Sequence, residues 1–485
     1  MRVLYLDLDS LRADQLGCYG YPRPTSPTID RLAREGTRFT NCYVSDAPCL
    51  PSRSALALGR FGLSSGVVNH GGLVSEPFPL GTRRGFSGAP GYQTLFQALR
   101  AAEMYPVSVT PFPNRHVAPW FTLGLREWYN TGRGGFEHAH EVNAVAEPWL
   151  ETHAAEDGWF LHVNYWDAHT PYRVPNSYPS PFAAPADPGW LTQDILDAHW
   201  HSYGPNSAQD SPGVWARQMP ERVDIPHQLR TLADYQAWLE GYDVGLRYID
   251  DHIARLLTIL ERAGVLDDTL ILISADHGEN QGELNVYGDH QTADHFTSRV
   301  PFVARGPGFA AGQINTALHY QFDLMAAVLR QVGGDVPGAW DARPPDLTAG
   351  TGRPHLVLSQ MAWTCQRSVR WDKYLCLRTY HDGYKDLPPL LLFDLEADPH
   401  ELHDLSAQRP ELVAYALERL DEFVFDGIQR SPLAQPYDPM HVVLREGGPW
   451  QVRGRLGWYT GHLRDTGRAH HAEALLARHA GEAEP

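Results

Sequence analysis

The 485-residue sequence predicts an α/β protein: a large, mostly parallel sheet sandwiched by helices, with a smaller C-terminal subdomain of antiparallel sheet and helix. Three observations carry this. Short apolar segments alternate with amphipathic ones through the first two-thirds of the chain. A glycine- and proline-rich stretch at 333–353 then reads as a linker. Beyond it the pattern changes to short strands of alternating character. The expected units are therefore 1–350 and 351–485.

Taken in order, residues 3–8, 105–109, 159–165, 269–274 and 301–304 are the clearest strands. They are short, apolar runs, as strands buried on both faces must be. Helices are expected near 27–35, 93–102, 142–153 and 232–263. In the last, Leu239, Tyr242, Leu246, Ile249, Ile253, Leu256 and Leu257 recur at helical spacing, which predicts a core-packing helix. Past the linker, strands at 355–359, 366–371, 374–377 and 391–395 precede a helix near 411–425. Two stretches, 174–190 and 202–226, show no periodicity. Loops of that length in a compact enzyme form rims or lids, so they are expected to select substrate. Trp190 and Trp200 in this rim are read as sugar-stacking surface.

With 43% hydrophobic residues the chain can build a large core. Its 58 acidic and 40 basic residues give a net charge of −18, which disfavours nucleic acid and anionic membranes as partners. An anionic substrate then needs a local positive pocket. Five cysteines, an odd number, do not suggest a disulfide scaffold. No apolar run approaches the ~20 residues that cross a bilayer, and the N-terminus enters a strand directly. The expectation is a cytoplasmic protein.

The most informative string is Cys49-Leu50-Pro51-Ser52-Arg53, followed by Gly59-Arg60. Pro51 suits a first helical turn and Gly59 a helix end. Cys49 then sits at a helix N-terminus, where unpaired N–H groups favour negative charge. Arg53, one turn on, can reach back toward it. The group is either an anion site holding a reactive cysteine or a buried structural cysteine. Asp7 and Asp9 alternate at the C-terminal end of the first strand, where α/β sheets place ligands. Asp276 and His277 leave the strand at 269–274 in the same way, with Gly278 allowing close approach. The two clusters converge if their strands are neighbours. His169 lies just past a strand, His290 shortly before Arg299-Val300-Pro301, and His116 after Pro113-Asn114-Arg115; taken singly, each reads as an ordinary surface or core histidine more readily than as a catalyst.

The Cys-x-Pro-Ser-Arg string with its trailing Gly-Arg resembles the signature of the type I sulfatases, in the alkaline phosphatase superfamily. Leu58 stands where that family usually has threonine. The segment Asp9-Ser10-Leu11-Arg12-Ala13-Asp14 through Gly17-Cys18-Tyr19-Gly20 resembles the family's N-terminal metal strand, with Ser10 in place of a second carboxylate. Ser274-Ala275-Asp276-His277-Gly278-Glu279 resembles its second metal motif, and Ser368–Trp371 and Leu392–Glu401 its closing strands. The resemblance implies that Cys49 is oxidised to formylglycine by a formylglycine-generating enzyme, and that Arg53 steadies it. It implies a metal set of Asp7, Asp9, Cys49, Asp276 and His277, with Asp7 either a ligand or placed behind one. Calcium is the expected ion, with manganese or magnesium as alternatives. His116, His169 and His290 match sulfate-contacting positions. Asn114 replaces a lysine there, so that either Arg115 supplies the missing charge or the site is less cationic, and His290 stands where many members carry lysine.

The implied reaction is hydrolysis of a sulfate monoester on a small molecule or saccharide. The hydrated aldehyde attacks sulfur, His290 or His169 protonates the departing alcohol, and His116 assists release of sulfate. Two alternatives remain at this point. One is a phosphonate monoester or phosphodiester hydrolase, which Ser10 favours. The other is a degenerate fold that binds glycans without turnover.

Overall fold

The computed structural model describes residues 1–78, 93–211, 225–347, 350–431, 433 and 435–482. Among these, a nine-stranded sheet forms the body. Its strands are β1 Arg2–Leu8, β2 Thr37–Tyr43, β4 Tyr105–Val109, β5 Glu127–Tyr129, β6 Trp159–Tyr165, β7 Thr269–Ser274, β10 Arg299–Arg305, β11 Gln313–Asn315 and β12 His319–Tyr320. They lie in the order β11-β2-β10-β7-β1-β6-β4-β5, with β12 against β2. The centre β7-β1-β6-β4-β5 is parallel, and β10 runs antiparallel to both β7 and β2. The central strands are covered on both faces, and every residue of β6 and β7 is buried. A separate two-stranded ribbon pairs β8, Asn280–Gln281, with β9, Tyr287–Asp289, just past the end of β7.

All five expected strands of the large sheet are present, with 301–304 extended to Arg299–Arg305. The strands that periodicity left out are short or amphipathic at the sheet margin. β2, with the sequence TRFTNCY, mixes four polar with three apolar residues and carries four buried and three half-buried positions. The expected helices form at Pro27–Glu35, Leu95–Ala101, Ala139–His153 and Leu232–Arg262. Thr94 begins the second with a capping box to Gln97, and Thr231 the fourth with one to Asp234. The fourth buries each of its seven predicted core positions. It also carries a tether, for Tyr242 donates its hydroxyl to the Ser10 carbonyl at 2.7 Å and accepts Arg12 N–H at 2.8 Å. No helix among the described residues is long and apolar enough to cross a membrane.

The second sheet has five strands. Four of them, β13 His355–Gln360, β14 Cys365–Trp371, β15 Tyr374–His381 and β16 Leu390–Asp394, form the expected antiparallel meander. The helix Pro410–Gln429 packs on it through Val413, Ala416 and Leu420. The fifth strand comes from the other end of the chain. β3, Asp46–Ala47, pairs parallel to Ser359 and Gln360 on the free edge of β13. The expected division at residue 350 is thus crossed by the segment that leads into Cys49. Two further helices, Leu456–Asp465 and Ala469–Arg478, which the sequence pattern did not mark, form a hairpin. The hairpin packs around Tyr203, Trp363 and Tyr384. Of the two long loops, 174–190 is irregular as expected, whereas 212–224 lies outside the described residues.

Candidate active site

The site forms where β1, β7 and the helix Cys49–Leu58 meet. β1 and β7 are direct neighbours, with Asp7 opposite Ser274, so Asp9 and Asp276 leave the sheet side by side. The helix begins at Cys49 and is buried along its whole length. Gly59 ends it at φ 61°, donating its N–H to Ala55 O; a Cβ there would overlap the Trp340 ring.

Cys49 is 1% exposed, and its Sγ lies 3.1 Å from His277 Nε2. His277 donates Nδ1–H to the Gly278 carbonyl at 2.8 Å. That bond fixes the tautomer and leaves the Nε2 lone pair turned to the sulfur. Burial lowers the imidazole to about 4, so it is neutral. Ligand atoms of Asp9, Cys49, Asp276 and His277 all lie within 4.8 Å of one another, as do those of Cys49, His277 and His290. Asp9 accepts Ser10 Oγ–H at 2.9 Å, and Asp276 accepts Ser10 N–H at 3.3 Å and His277 N–H at 3.0 Å.

Arg53 does not reach back to Cys49 as its position one turn along suggests. Its guanidinium binds carboxylates instead: Nη1 pairs with Asp7, while Nη2 lies 3.0 Å from Asp9 and 3.1 Å from Asp276. Three buried acidic oxygens outcompete one thiol for a cation. Asp7, expected among the metal ligands, is outside the four-residue group. Its carboxylate faces Arg53 and the Nε2 of His162 at 3.1 Å, because its side chain points from one pleat earlier. Ser108 holds the other side of His162 at 2.8 Å, and burial lowers that ring to about 3.

The charges do not balance within the protein. Burial and the charge of Asp276 push the Asp9 carboxyl well up, while Arg53 keeps Asp276 ionised against its own burial. Burial, with Asp9 and Asp276 adding to it, also pushes the Cys49 thiol well up. The helix N-terminus does not offset that burial on its own. Two crowded carboxylates beside a neutral imidazole with its lone pair turned inward suit a divalent cation. Asp9, Asp276 and His277 would hold it, with residue 49 at its side.

The remaining predicted histidines surround the sulfur. The ring of His290 lies 3.8 Å from that of His277, centroid to centroid, and 5.6 Å from that of His169. His290 turns Nδ1 to Glu279 at 3.4 Å and Nε2 to Asp289 at 3.5 Å. Glu279 accepts Thr170 Oγ1–H at 2.7 Å and is raised by burial to about 8. His116 Nε2 has no hydrogen-bond partner among the described residues. Burial lowers His116, His169 and His290 alike. Arg115 lies over Trp166 and lowers each of these three rings electrostatically, so it does supply positive charge to the site.

The sequence pattern gave no sign of His70. Its ring is 4.9 Å from His116, its Nε2 lies 3.5 Å from Leu50 N, and its Nδ1 meets Gln451 Nε2 at 3.2 Å. Asn69-His70 had no motif to mark it. The aromatic rim reads differently in space: Trp190 stacks on His400 at 4.6 Å, and Trp200 lies beneath Arg230.

The sulfatase family model matches residues 2–334, which include both carboxylate clusters and the cysteine helix. The chain belongs to the sulfatase family. It is a sulfuric ester hydrolase. Among curated relatives, it is 26% identical over 463 residues to the multifunctional alkaline phosphatase superfamily protein PehA of Trinickia caryophylli, covering 79% of this chain and 85% of that one. It is 21% identical to an N-acetylglucosamine-6-O-sulfatase of Bacteroides thetaiotaomicron, covering 83% and 82%. Among solved structures, the phosphonate monoester hydrolase of Silicibacter pomeroyi superposes with a TM-score of 0.65 at 19% identity, over 91% of this chain and 97% of that one. This sulfatase therefore has the fold of its superfamily.

Proposed function

We propose that this sulfatase hydrolyses a sulfate monoester of a carbohydrate, with residue 49 oxidised to formylglycine beside a divalent cation. The observation that carries this is the seat of Cys49. Its sulfur faces His277 Nε2 at 3.1 Å within a buried group that includes Asp9 and Asp276. In this structure Sγ marks the place that the oxygens of the oxidised residue would take. The hydrated aldehyde supplies a nucleophilic hydroxyl and a second one that allows sulfate to be released. Asp9, Asp276 and His277 would hold a divalent cation, calcium or else manganese or magnesium, which would supply fixed positive charge against the sulfuryl oxygens.

The chain's own groups do the rest. Arg53 keeps Asp9 and Asp276 in register and adds one positive charge under the site. His277 stays neutral and oriented through Gly278. His290 and His169 lie beside one another next to His277, and one of them gives a proton to the departing oxygen. Both are neutral in the free protein through burial, and the arriving anion favours their protonated forms. His116, with His70 beside it, takes part in the second proton transfer. The carbohydrate assignment is supported by the named activity of the Bacteroides relative.

Mass spectrometry of the tryptic peptide 39–53 tests the reading. The expected peptide has lost one sulfur and two hydrogens and gained one oxygen at residue 49. A panel of sulfated sugars then identifies the substrate. Ser10 in place of a second acidic ligand favours a second reading, a phosphonate monoester or phosphodiester hydrolase. A faster rate on an aryl phosphodiester than on the matching aryl sulfate would establish it.

A further inference from the structure

We propose that Asn206 is a positioning residue of this reaction: carried on a loop that the C-terminal helical hairpin clamps, it fixes Asp289 and, through Asp289, the imidazole of His290. The inference rests on the sulfatase reading only for the role of His290 as the group that protonates the departing oxygen.

Asn206 is 1% exposed and adopts φ 61°, a left-handed conformation that few residues other than glycine and asparagine tolerate. Its carbonyl accepts Tyr287 N–H at 2.8 Å, and its Nδ2 donates to Asp289 Oδ2 at 2.8 Å. The side-chain Oδ1 has no hydrogen-bond partner among the described residues, so the directed bonding of the amide goes to Asp289. Asp289 in turn accepts His290 N–H at 2.8 Å with Oδ1, the same oxygen that lies 3.5 Å from His290 Nε2. Gln291 Nε2 shares Asp289 Oδ2 at 2.9 Å. The carboxylate beside the catalytic ring is thus held from two sides, one of them a loop more than eighty residues earlier in the chain.

That loop is fastened from behind. Asp210 is fully buried and accepts Arg468 Nη1 at 2.9 Å, Arg468 Nη2 at 2.7 Å, His462 Nε2 at 2.7 Å and Tyr459 OH at 2.7 Å. The same tyrosine oxygen accepts Gly204 N–H at 2.7 Å. The buried Lys385 ammonium donates to the carbonyl of Pro205, the residue before Asn206. A strained asparagine held this firmly beside a catalytic ring is what positioning requires. A loop that only fills space would need neither the conformation nor the carboxylate contact.

The test compares two aryl sulfates, 4-nitrophenyl sulfate and phenyl sulfate, on the matured wild type and on Asn206→Gly. Glycine adopts the left-handed conformation without strain, so the variant removes the amide and leaves the backbone. A good leaving group departs without a proton, while phenol needs one. The expected result is a loss in kcat of about tenfold on phenyl sulfate, less than threefold on 4-nitrophenyl sulfate, and KM within twofold on both. Asn206→Asp, which keeps the backbone preference and sets a like charge against Asp289, is expected to reproduce the pattern if the glycine variant fails to fold. Equal losses on the two esters, or none, would overturn the proposal. If the wild type cleaves only aryl phosphonates, the sulfatase reading fails; the same comparison is then made with those esters, because the departing oxygen is the same. An enzyme inert to both series and to every sulfated sugar of the panel overturns both readings.

Discussion

The sulfur of Cys49 and the Nε2 of His277 lie 3.1 Å apart, although 228 residues separate them in sequence. The contact ties the N-terminus of one helix to the exit of a central strand. It places the reactive position against a neutral imidazole, at a seat where burial, with Asp9 and Asp276 adding to it, raises the thiol. The formylglycine proposed at residue 49 is made from a thiol, so replacing Cys49 by serine is expected to abolish turnover. Steady-state assay of the Cys49→Ser protein checks this.

Metal binding distinguishes Asp7 from Asp9. Saturating Ca²⁺ or Mn²⁺ is expected to raise the melting temperature of the wild type, and EDTA to reverse the effect; at a hundred times Kd the stabilisation is about 2.7 kcal/mol. Asp9→Asn and Asp276→Asn should remove the shift. Asp7→Asn should keep it, because Asp7 faces Arg53 and His162 instead. Differential scanning fluorimetry across the three variants decides the ligand set.

Arg53→Ala leaves three buried carboxylates without their cation. Removing one partner of such a group costs about 3–5 kcal/mol. Added divalent cation is expected to recover part of that loss, whereas Arg53→Lys, a point charge in place of a fork, should recover less than half. Chemical denaturation with and without the metal measures both.

The two histidines proposed as proton donors are separable by leaving group. His290→Ala and His169→Ala are each expected to slow turnover by about 10²–10⁴. The residue that protonates the alcohol loses more on a sugar or phenyl ester than on a nitrophenyl one. Rates across such a series, measured for both variants, assign the role.

His479 governs the alkaline side of the stability profile. It sits between Asp382 at 2.9 Å and Glu482 at 2.8 Å, and those hydrogen bonds raise it to about 9 against its burial. His381 and Tyr384 also face Glu482, and Arg478 faces Asp382. A histidine raised above its unfolded value of about 6.5 contributes stability that is complete below that pH and disappears as pH rises through 9. Lys385, lowered by burial to about 7, titrates in the opposite sense. The measurement is therefore the difference between wild type and His479→Gln, whose melting temperatures should differ at pH 6 and coincide by pH 10.

Particular residues show what the sequence could and could not convey. Asp9 and Asp276 were legible because apolar parallel strands announce themselves, and the residues just past such a strand lie at the ligand edge. The direction of Arg53 was not, because local spacing ranks neighbours along a helix and cannot weigh them against carboxylates from β1 and β7. His70 was hidden for a similar reason, since its partner Gln451 is 381 residues away. β2 escaped notice because its four polar residues, in two adjacent pairs, resemble a surface segment. The hairpin that clamps Asp210 had weak amphipathic signals, and its role exists only through contacts with a loop that has no periodicity of its own.

The pairing of β3 with β13 has a temporal side. Ser45 and Ala47 lie against residues that a ribosome adds some 310 positions after Cys49 (359 minus 49). At roughly 5–20 residues per second, synthesis leaves about 15–60 s during which the cysteine segment is a free edge. Once the meander closes over it, residue 49 is sealed from any macromolecule. Under the proposed formylglycine reading, an enzyme that must grasp the backbone around this thiol has to act before the meander closes, so the pace at which those two points come together bears on how much of the protein becomes active.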